Sequence, residues 1–351
     1  MKLLVFNPEH DLALAANLSN FTAPHAGRQL RADLGFIPAI WAAADDYVLV
    51  ENVEDAECRF LRLTRHPFER FIVKEHICKH KFTAVDVWGW DLTIRAFLLR
   101  WGIDAGIMPT VSQIDTIRQL SHRRYAMQLL ENLQTSGTIG NSCETDQMEI
   151  IVDRLHSDEH LVIKAPWSSS GRGVRFMKDD VNIYDKGWLR HVIAKQGSVM
   201  VEPYYNKVKD FGMEFVSDGC GSVSYSGLSL FQTSNGAYTG NLLAYEDEKM
   251  NLISRYIPVD LIKYVQQEIC TKMGMLLKDR YAGAFGIDMM VVWHNDGDGF
   301  LLHPCVEINL RRTMGHVAIS LMELCSGLPK LMMIEYNANV YKIKINNFSL
   351  K

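Results

Sequence analysis

The chain has 351 residues and a formal net charge of −4, with 37 basic and 41 acidic side chains. This length is enough for two or three units that each bury a core, and the lack of a basic stripe in the sequence argues against a nucleic-acid-binding surface. No apolar run approaches the ~20 residues of a membrane span, no signal-peptide pattern opens the chain, and the seven cysteines form no Cys-x-x-Cys pair, so we predict a soluble cytoplasmic protein with reduced thiols.

The first 115 or so residues alternate short apolar strands with helical segments, which predicts a Rossmann-like layer. Residues 3–6 predict the first strand, and residues 36–41 predict another. Because ligands bind at the carboxyl ends of strands in open α/β sheets, the polar segment after the first strand supplies candidate substrate contacts. These candidates are Asn7, Glu9, His10 and Asp11. A capped turn with Asp11 near a helix N-terminus is the alternative.

Two other N-terminal motifs carry no site prediction. His76, Cys78 and His80 place soft ligands on one face of a predicted strand, but structural zinc takes four ligands and no second pair lies nearby in the sequence. Residues 88–91 precede a helical segment, and we predict that they form core and helix cap.

A phosphate-binding loop is indicated after residues 161–166, which read as a buried strand carrying Lys164. The loop consists of small residues and one arginine: Ser168, Ser169, Ser170, Gly171, Arg172, Gly173 and Val174. Small residues let backbone N–H groups surround phosphate oxygens, and the lysine adds a point charge. The Walker and Rossmann spacings are both missing, and residues 174–177 predict a returning strand, so the loop is drawn as the tip of a hairpin. A flexible surface turn is the alternative.

Further along, residues 198–205 predict an apolar strand that ends at Glu202 and is stopped by proline. The strand backbone can pair with the polar edge of a purine while Glu202 reaches the ribose hydroxyls or the adenine amino group. Residues 210–219 predict a strand and turn that carry Glu214, and residues 259–278 have the apolar spacing of a helix.

Two acid-bearing strands predict a metal site. Asp288 lies in one apolar segment, and Glu307, Asn309 and Arg311 alternate with apolar residues in a later one. Residues two apart share one face of an extended strand, so Glu307, Asn309 and Arg311 form a line. If the strands are neighbours, Asp288, Glu307 and Asn309 present hard oxygen ligands that suit Mg²⁺ bridging nucleotide phosphates better than zinc. An ordinary exposed strand face is the alternative.

The order of these motifs between about residues 117 and 327 resembles that of ATP-grasp proteins. The resemblance implies that ATP is held between two α+β lobes. For the nucleotide, it implies that Lys164 contacts phosphate and adenine, that the loop from Ser168 to Val174 covers the phosphates, and that Met200 and Val201 offer backbone to adenine. Glu202 is then the acid at the hinge between the lobes, and Glu214 belongs to the nucleotide-binding residues. The resemblance also implies that Asp288, Glu307 and Asn309 bind Mg²⁺ or Mn²⁺ and that Arg311 faces the transferred phosphoryl group and the substrate.

One departure from the family pattern concerns a second lysine, which the family usually places just before a helix of the small lobe. This chain has Arg123 and Arg124 there. Arginine keeps the positive charge and adds a planar fork, so phosphate contact remains the prediction, and the choice between the two arginines stays open. A solvated pair near a helix start is the alternative.

We therefore predict a mixed α/β and α+β chain: a Rossmann-like N-terminal domain (1–115), an ATP-grasp small lobe (116–205) and a large lobe (206–351). The resemblance implies a ligase that activates a small-molecule carboxylate as an acylphosphate for attack by an amine or thiol, such as that of an amino acid or peptide. A phosphotransferase on the same fold and a nucleotide-binding module without catalysis are the alternatives. The sequence leaves the substrates and the oligomeric state open, and predicts neither a nucleic-acid nor a membrane partner.

Overall fold

The computed structural model describes residues 1–158, 160–168, 173–234, 237–294, 299–324 and 329–348. These residues form one parallel sheet and three antiparallel sheets, each with four strands. The mixed α/β and α+β class predicted from the sequence is confirmed. In this part of the chain, no helix is both long enough and apolar enough to cross a membrane.

The N-terminal sheet is parallel and has the strand order β3-β2-β1-β4. Its elements are β1 (Lys2–Val5), α1 (His10–Ala16), α2 (His25–Leu34), β2 (Tyr47–Leu49), α3 (Val53–Thr64), β3 (Phe71–Ile72), β4 (Ala84–Val87), α4 (Leu92–Arg100) and α5 (Val111–Leu120). The Asp91 carboxylate accepts the backbone N–H of Ile94 and so caps α4, as the sequence predicts. The Rossmann-like layer is therefore present.

Two N-terminal segments differ from the sequence prediction. Residues 36–41 were predicted as a strand, but Ile37–Ile40 form a 3₁₀ helix that is buried throughout. An apolar run of this length does not distinguish a strand from a buried helical turn, and Pro38 in the first turn favours the helix. Lys74–Lys79 form a second 3₁₀ helix, so His76, Cys78 and His80 do not share a strand face.

The second sheet is antiparallel, with the order β5-β8-β6-β7. Its elements are β5 (Cys143–Thr145), α7 (Met148–Asp158), β6 (His160–Lys164), β7 (Val174–Lys178), α8 (Ile183–Gln196) and β8 (Val199–Pro203). Helix α6 (Arg124–Asn132) precedes them in the chain but packs mainly on the third sheet. Strands β6 and β7 form the predicted hairpin, with Lys164 opposite Val174 at its loop end. This arrangement holds the start and the end of the small-residue loop side by side.

The third sheet has the antiparallel order β10-β9-β13-β14 and carries the largest core. Its elements are β9 (Lys207–Ser217), β10 (Val223–Ser229), α9 (Glu246–Ile253), α10 (Val259–Leu277), β13 (Gly283–Trp293) and β14 (Phe300–Asn309). Helix α10 confirms the helical spacing predicted for residues 259–278. Its residues Ile262, Val265, Ile269 and Met273 are buried against the sheet, as period-3.6 spacing requires.

The fourth sheet has the order β11-β12-β15-β16. Its elements are β11 (Phe231–Ser234), β12 (Ala237–Leu243), α11 (Met314–Leu324), β15 (Lys330–Asn337) and β16 (Val340–Asn347). This sheet and α11 share a core with the N-terminal layer, because Leu4 and Leu34 pack in one cluster with Val317, Leu321 and Met332. The first and last parts of the chain are thus joined by apolar packing. The boundaries proposed for the three domains stay a prediction.

Candidate functional site

The two acid-bearing strands are neighbours. Asp288 on β13 lies directly opposite Glu307 on β14, so their side chains leave the sheet on one face within contact range. Asn309 donates from Nδ2 to Asp288 Oδ2 at 3.2 Å and accepts at Oδ1 from Arg311 Nη2 at 2.9 Å. Glu307 and Asn309 share the predicted strand face, and Arg311 lies two residues beyond the end of β14 but still contacts Asn309. Asp288 and these three side chains therefore come together.

This cluster has an excess of negative charge at its centre. Burial, followed by the nearby charges of Glu307 and Glu214, raises the pKa of Asp288 to about 7. An acid in this position is stabilised by a proton or by a cation, because desolvation and like charges both disfavour the free carboxylate. The arrangement is therefore able to take up a cation at neutral pH.

The donor set fits Mg²⁺ or Mn²⁺ in its chemistry, since carboxylate oxygens are the ligands that these hard cations prefer. Asp288 and Glu307 are the stronger candidates. The oxygen of Asn309 is engaged by Arg311, so Asn309 would have to turn its amide to serve as a ligand. Over the described ranges, no group of three His, Cys, Asp or Glu side chains is placed to hold a metal, so the candidate consists of two carboxylates and an amide.

The structure separates the two neighbouring arginines. Arg123 is buried and donates to Glu307 Oε1 at 2.7 Å, to the Ser168 hydroxyl at 2.7 Å and to the Ala165 carbonyl. Arg124 is 46% exposed and instead pairs with Glu144 at 2.6 Å. Arg123 is thus the one that connects the acid cluster with the start of the small-residue loop.

Arg311 connects the acid cluster with the N-terminal layer. Its Nε and Nη2 donate to the two carboxylate oxygens of Asp11 at 2.9 and 2.7 Å. Asp11 lies in the first turn of α1, near the helix N-terminus as the alternative has it, but no side chain caps this helix. Desolvation raises the pKa of Asp11, and the pairing with Arg311 outweighs it and holds the pKa below its ordinary value. His10 beside it contacts Asp91 at 3.2 Å, and Asn7 Nδ2 donates to the Gly89 carbonyl at 2.8 Å.

A second ion pair lies in the β6-β8 sheet. Lys164 Nζ lies 2.6 Å from Glu202 Oε2, and both side chains are nearly buried. Met200 and Val201 occupy the middle of β8, which pairs with β5 on one side and with β6 on the other. Their backbone groups already have partners in the sheet, so this arrangement does not favour the prediction that they pair with adenine.

The loop and Glu214 complete the predicted residues. Ser168 contacts Arg123, and the Gly173 carbonyl accepts the Ala165 N–H at 2.8 Å, which places Gly173 and Val174 beside the strand that ends in Lys164. Ser169, Ser170, Gly171 and Arg172 lie outside the described residues.

Glu214 is buried, and its Oε2 lies 2.9 Å from His316 Nδ1. The Glu214 carboxylate packs against the backbone of Gly315: a Cβ atom at position 315 would lie 1.9 Å from Glu214 Oε1, so a side chain there would clash. The charge of Glu214 therefore contributes to the raised pKa of Asp288. Its own close contact is with His316, which the sequence prediction did not include.

His303 is another residue that the sequence prediction did not include. It is 1% exposed, and neither ring nitrogen has a hydrogen-bond partner within the described part of the chain. Burial and then the charge of Lys164 lower its pKa to about 3, so the ring is neutral. The Tyr205 ring meets it edge-on at 5.6 Å. A single histidine in an apolar strand carries no sequence signal that separates a site residue from a core residue.

Comparison with known proteins identifies similar structures but no similar sequences. No protein-family model matches the chain, and no curated protein sequence matches it. A solved structure assigned to the ATP-grasp superfamily, from Archaeoglobus fulgidus, aligns with 99% of this chain and 100% of its own, with 12% identity and a TM-score of 0.50. Two more are similar: N5-carboxyaminoimidazole synthetase of Staphylococcus aureus complexed with ADP (11% identity, 95% of this chain, 82% of its own, TM-score 0.49), and D-cycloserine synthetase DcsG (13% identity, 92% and 98%, TM-score 0.47).

At identities this low, structural similarity concerns the fold and not the activity. The likeness to the A. fulgidus structure extends over both chains almost completely. The chain therefore has the ATP-grasp fold, as the order of its sequence motifs predicts.

Proposed function

We propose that this protein is an ATP-dependent ligase that activates a substrate carboxylate as an acylphosphate for attack by an amine or thiol. The observation that carries the proposal is the convergence of Asp288, Glu307 and Asn309 with Arg123 and Arg311 on one face of β13 and β14. Phosphoryl transfer demands mainly positioning and charge neutralisation, and this cluster supplies both.

ATP is the nucleotide that this fold most strongly suggests, and two of the similar structures are synthetases, which agrees with a ligase. One is a carboxyaminoimidazole synthetase complexed with ADP, and another is a synthetase for D-cycloserine. In our proposal the Lys164 and Glu202 pair lies at the nucleotide, with Lys164 towards the phosphates. The described ends of the loop, Ser168 and Gly173, lie beside the strand that ends in Lys164, which supports our proposal that the loop covers the phosphates and excludes water from the acylphosphate.

Asp288 and Glu307 would hold Mg²⁺ or Mn²⁺, which when bound neutralises phosphate charge and aligns the phosphoryl group. The remaining work falls to the side chains around it. Arg123 fixes Glu307 and, through Ser168, the base of the loop. Arg311 presents a planar guanidinium near the transferred group and is itself oriented by Asp11, so the N-terminal layer sets its direction.

The test is an assay with Mg·ATP and pools of carboxylic acids, amino acids and small peptides, followed by measurement of ADP, free phosphate and new masses. ADP with phosphate and an amide or thioester product supports the ligase. ADP with a stable phosphorylated product would instead assign a phosphotransferase. Nucleotide binding without turnover under all conditions would leave a binding module.

The variants Asp288→Asn and Glu307→Gln sharpen this test. Each should lower turnover at least about 100-fold while nucleotide affinity falls far less, because the metal ligands lie at the phosphates and not at the base. Asp153→Asn, an exposed carboxylate on α7, is the matched control and should keep full activity. Unchanged turnover in both site variants would contradict the metal assignment.

A further inference from the structure

A cavity of about 320 Å³ lies at the carboxyl ends of the parallel strands. Residues that directly follow β1, β2 and β3 line it, among them Asn7, Glu51 and Lys74, together with Asp91 before α4. The strand order β3-β2-β1-β4 changes direction between β1 and β4. In open α/β sheets this change of direction opens a crevice at the carboxyl edge, and ligands bind there. Its volume lies at the lower end of the range for small-molecule sites.

Helix α1 separates the cavity from the acid cluster. Ala13 and Glu9 line the cavity, whereas His10, Asp11 and Leu14 line a small cleft beside Glu307 and Asn309. The two sets of lining residues have no member in common. The cavity is therefore a site in its own right, and a molecule bound there would reach the acid cluster only through the contacts of α1.

Three basic side chains of the cavity lining have weak partners or none. Arg100 has no hydrogen-bond or ion-pair partner among the residues that the structure covers, and Arg28 donates only to the Ala23 carbonyl. Lys74 lies 3.9 Å from the exposed Glu75 and over the Trp101 ring. These three cations are available to a ligand that carries a carboxylate or phosphate, because such groups accept charge-assisted hydrogen bonds.

The acids of the cavity are accounted for with one exception. Asp91 contacts Asn7 and His10 and caps α4, and Glu51 lies 3.8 Å from Arg31. Glu9 is 8% exposed, and only its Oε1 accepts from Arg31; its Oε2 has no hydrogen-bond partner in the described ranges. A buried carboxylate oxygen without a partner is costly. A ligand donor, such as an ammonium, hydroxyl or amide N–H group, would satisfy it.

The remaining walls are apolar. Phe6, Phe21, Val50, Ile94 and Phe97 contribute carbon surface to the same cavity. Binding sites for small molecules commonly combine an apolar lining with a few converging polar groups, and these groups fix the orientation of the ligand.

We propose that this cavity binds a small molecule that carries both an anionic group, held by one or more of Arg28, Lys74 and Arg100, and a hydrogen-bond donor, held by Glu9. An amino acid or dipeptide has this chemistry through its carboxylate and ammonium, and a sugar phosphate has it through its phosphate and hydroxyls. The site does not depend on the ligase proposal, since it is built from residues outside the acid cluster.

The experiment is isothermal titration calorimetry of the full chain without nucleotide or metal. One arm uses L-amino acids and dipeptides, and the other uses ribose 5-phosphate and related sugar phosphates, all at millimolar concentration. Amino-acid amides, which lack the carboxylate, and ribose, which lacks the phosphate, are the ligand controls. We expect one arm to bind and its neutral control to bind at least about tenfold more weakly.

Two variants locate the binding. Arg100→Ala removes a side chain without internal partners, so folding is unaffected, and affinity should fall about threefold to tenfold. Glu9→Gln keeps the size of the side chain and should weaken binding about tenfold. The exposed residues Arg62 and Glu57 on α3 provide the matched controls Arg62→Ala and Glu57→Gln. No binding in either arm, or binding that neither Arg100→Ala nor Glu9→Gln weakens, overturns the proposal. Because no ATP is present, either result is independent of whether the protein proves to be a ligase.

Discussion

Asp11 and Arg311 are 300 positions apart in the chain, and both oxygens of the Asp11 carboxylate accept from the Arg311 guanidinium, at 2.9 and 2.7 Å. The pair joins the first helix of the N-terminal layer to the end of β14. A bidentate pair of this kind fixes the plane of the guanidinium as well as its position. The N-terminal layer is therefore part of the mechanism that orients Arg311.

Replacing Asp11 should affect activity more than folding. In Asp11→Asn the guanidinium loses its charged partner but keeps Asn309 and the Arg312 carbonyl as acceptors. Because both side chains are partly exposed, we expect a loss of only about 1–2 kcal/mol in the free energy of unfolding. Turnover should fall about tenfold or more, since small displacements of a positioning group are expensive in rate. Urea unfolding and steady-state kinetics measure the two effects, and turnover equal to that of the native protein would show that the pair is only structural.

Arg123 and Arg124 provide a second test, because they are adjacent and of the same type. Arg123→Ala removes the contacts to Glu307, Ser168 and the Ala165 carbonyl and should lower kcat/KM for ATP at least about 100-fold. Arg124→Ala removes an exposed pair with Glu144 and should change kcat/KM less than about threefold. Circular dichroism checks that both variants are folded. Equal effects of the two substitutions would contradict the distinct places that the structure gives them.

The sequence predicts those parts of the site that depend on local periodicity. Glu307 and Asn309 could be placed on one face because a strand repeats every two residues, and the antiparallel pairing of β14 with β13 then brings Asp288 opposite Glu307. Arg311 was predicted on the same strand face, but β14 ends at Asn309. Helix α10 was predictable for the same reason, since four turns of regular apolar spacing leave little choice.

Contacts between distant segments could not be predicted. No local pattern relates Asp11 to Arg311, or Glu214 to His316, because each pair forms only when a helix packs against a strand or turn that is distant in the sequence. The cavity in the N-terminal layer illustrates the same limit. No sequence pattern distinguishes three of the charges that line it, which are those of Arg28, Lys74 and Arg100. They line one cavity only because the four strands are parallel and their carboxyl ends meet at one edge of the sheet.

The pKa of Asp288, raised to about 7 from its ordinary value of 3.8, predicts a pH dependence of stability. An acid with a higher pKa in the folded state binds more protons when folded, so the free energy of unfolding of the metal-free protein should fall as pH rises from about 4 to about 7. Above this range the free carboxylate remains unfavourable, and Mg²⁺ or Mn²⁺ should restore stability. Melting temperatures should therefore increase more on addition of either metal at pH 8 than at pH 5.5.

Asp288→Asn is the control that isolates this one group, since other groups also titrate in the same range. The difference in stability between the native protein and this variant should follow the described trend, and the response to metal should be small at both pH values. A variant with the same pH profile and the same metal response as the native protein would show that Asp288 is not the group responsible.

The last prediction concerns the Lys164 and Glu202 pair. Lys164→Met should leave the nearly buried Glu202 carboxylate without its cation and cost about 3 kcal/mol in the free energy of unfolding. The double variant Lys164→Met/Glu202→Gln should cost less than the sum of the two single variants by about 1–3 kcal/mol, because it leaves no charge unpaired. Lys344 and Glu335 on β16 and β15 are also 2.6 Å apart, but their side chains are 54% and 32% exposed. They form the control pair, for which the same cycle should give less than about 1 kcal/mol. Lys164→Met should in addition weaken ATP binding about tenfold or more, since the lost ammonium cannot be replaced by water at a buried position. Native ATP affinity together with a large stability coupling would assign the pair to folding alone, and a coupling no larger than that of the control pair would remove its structural role.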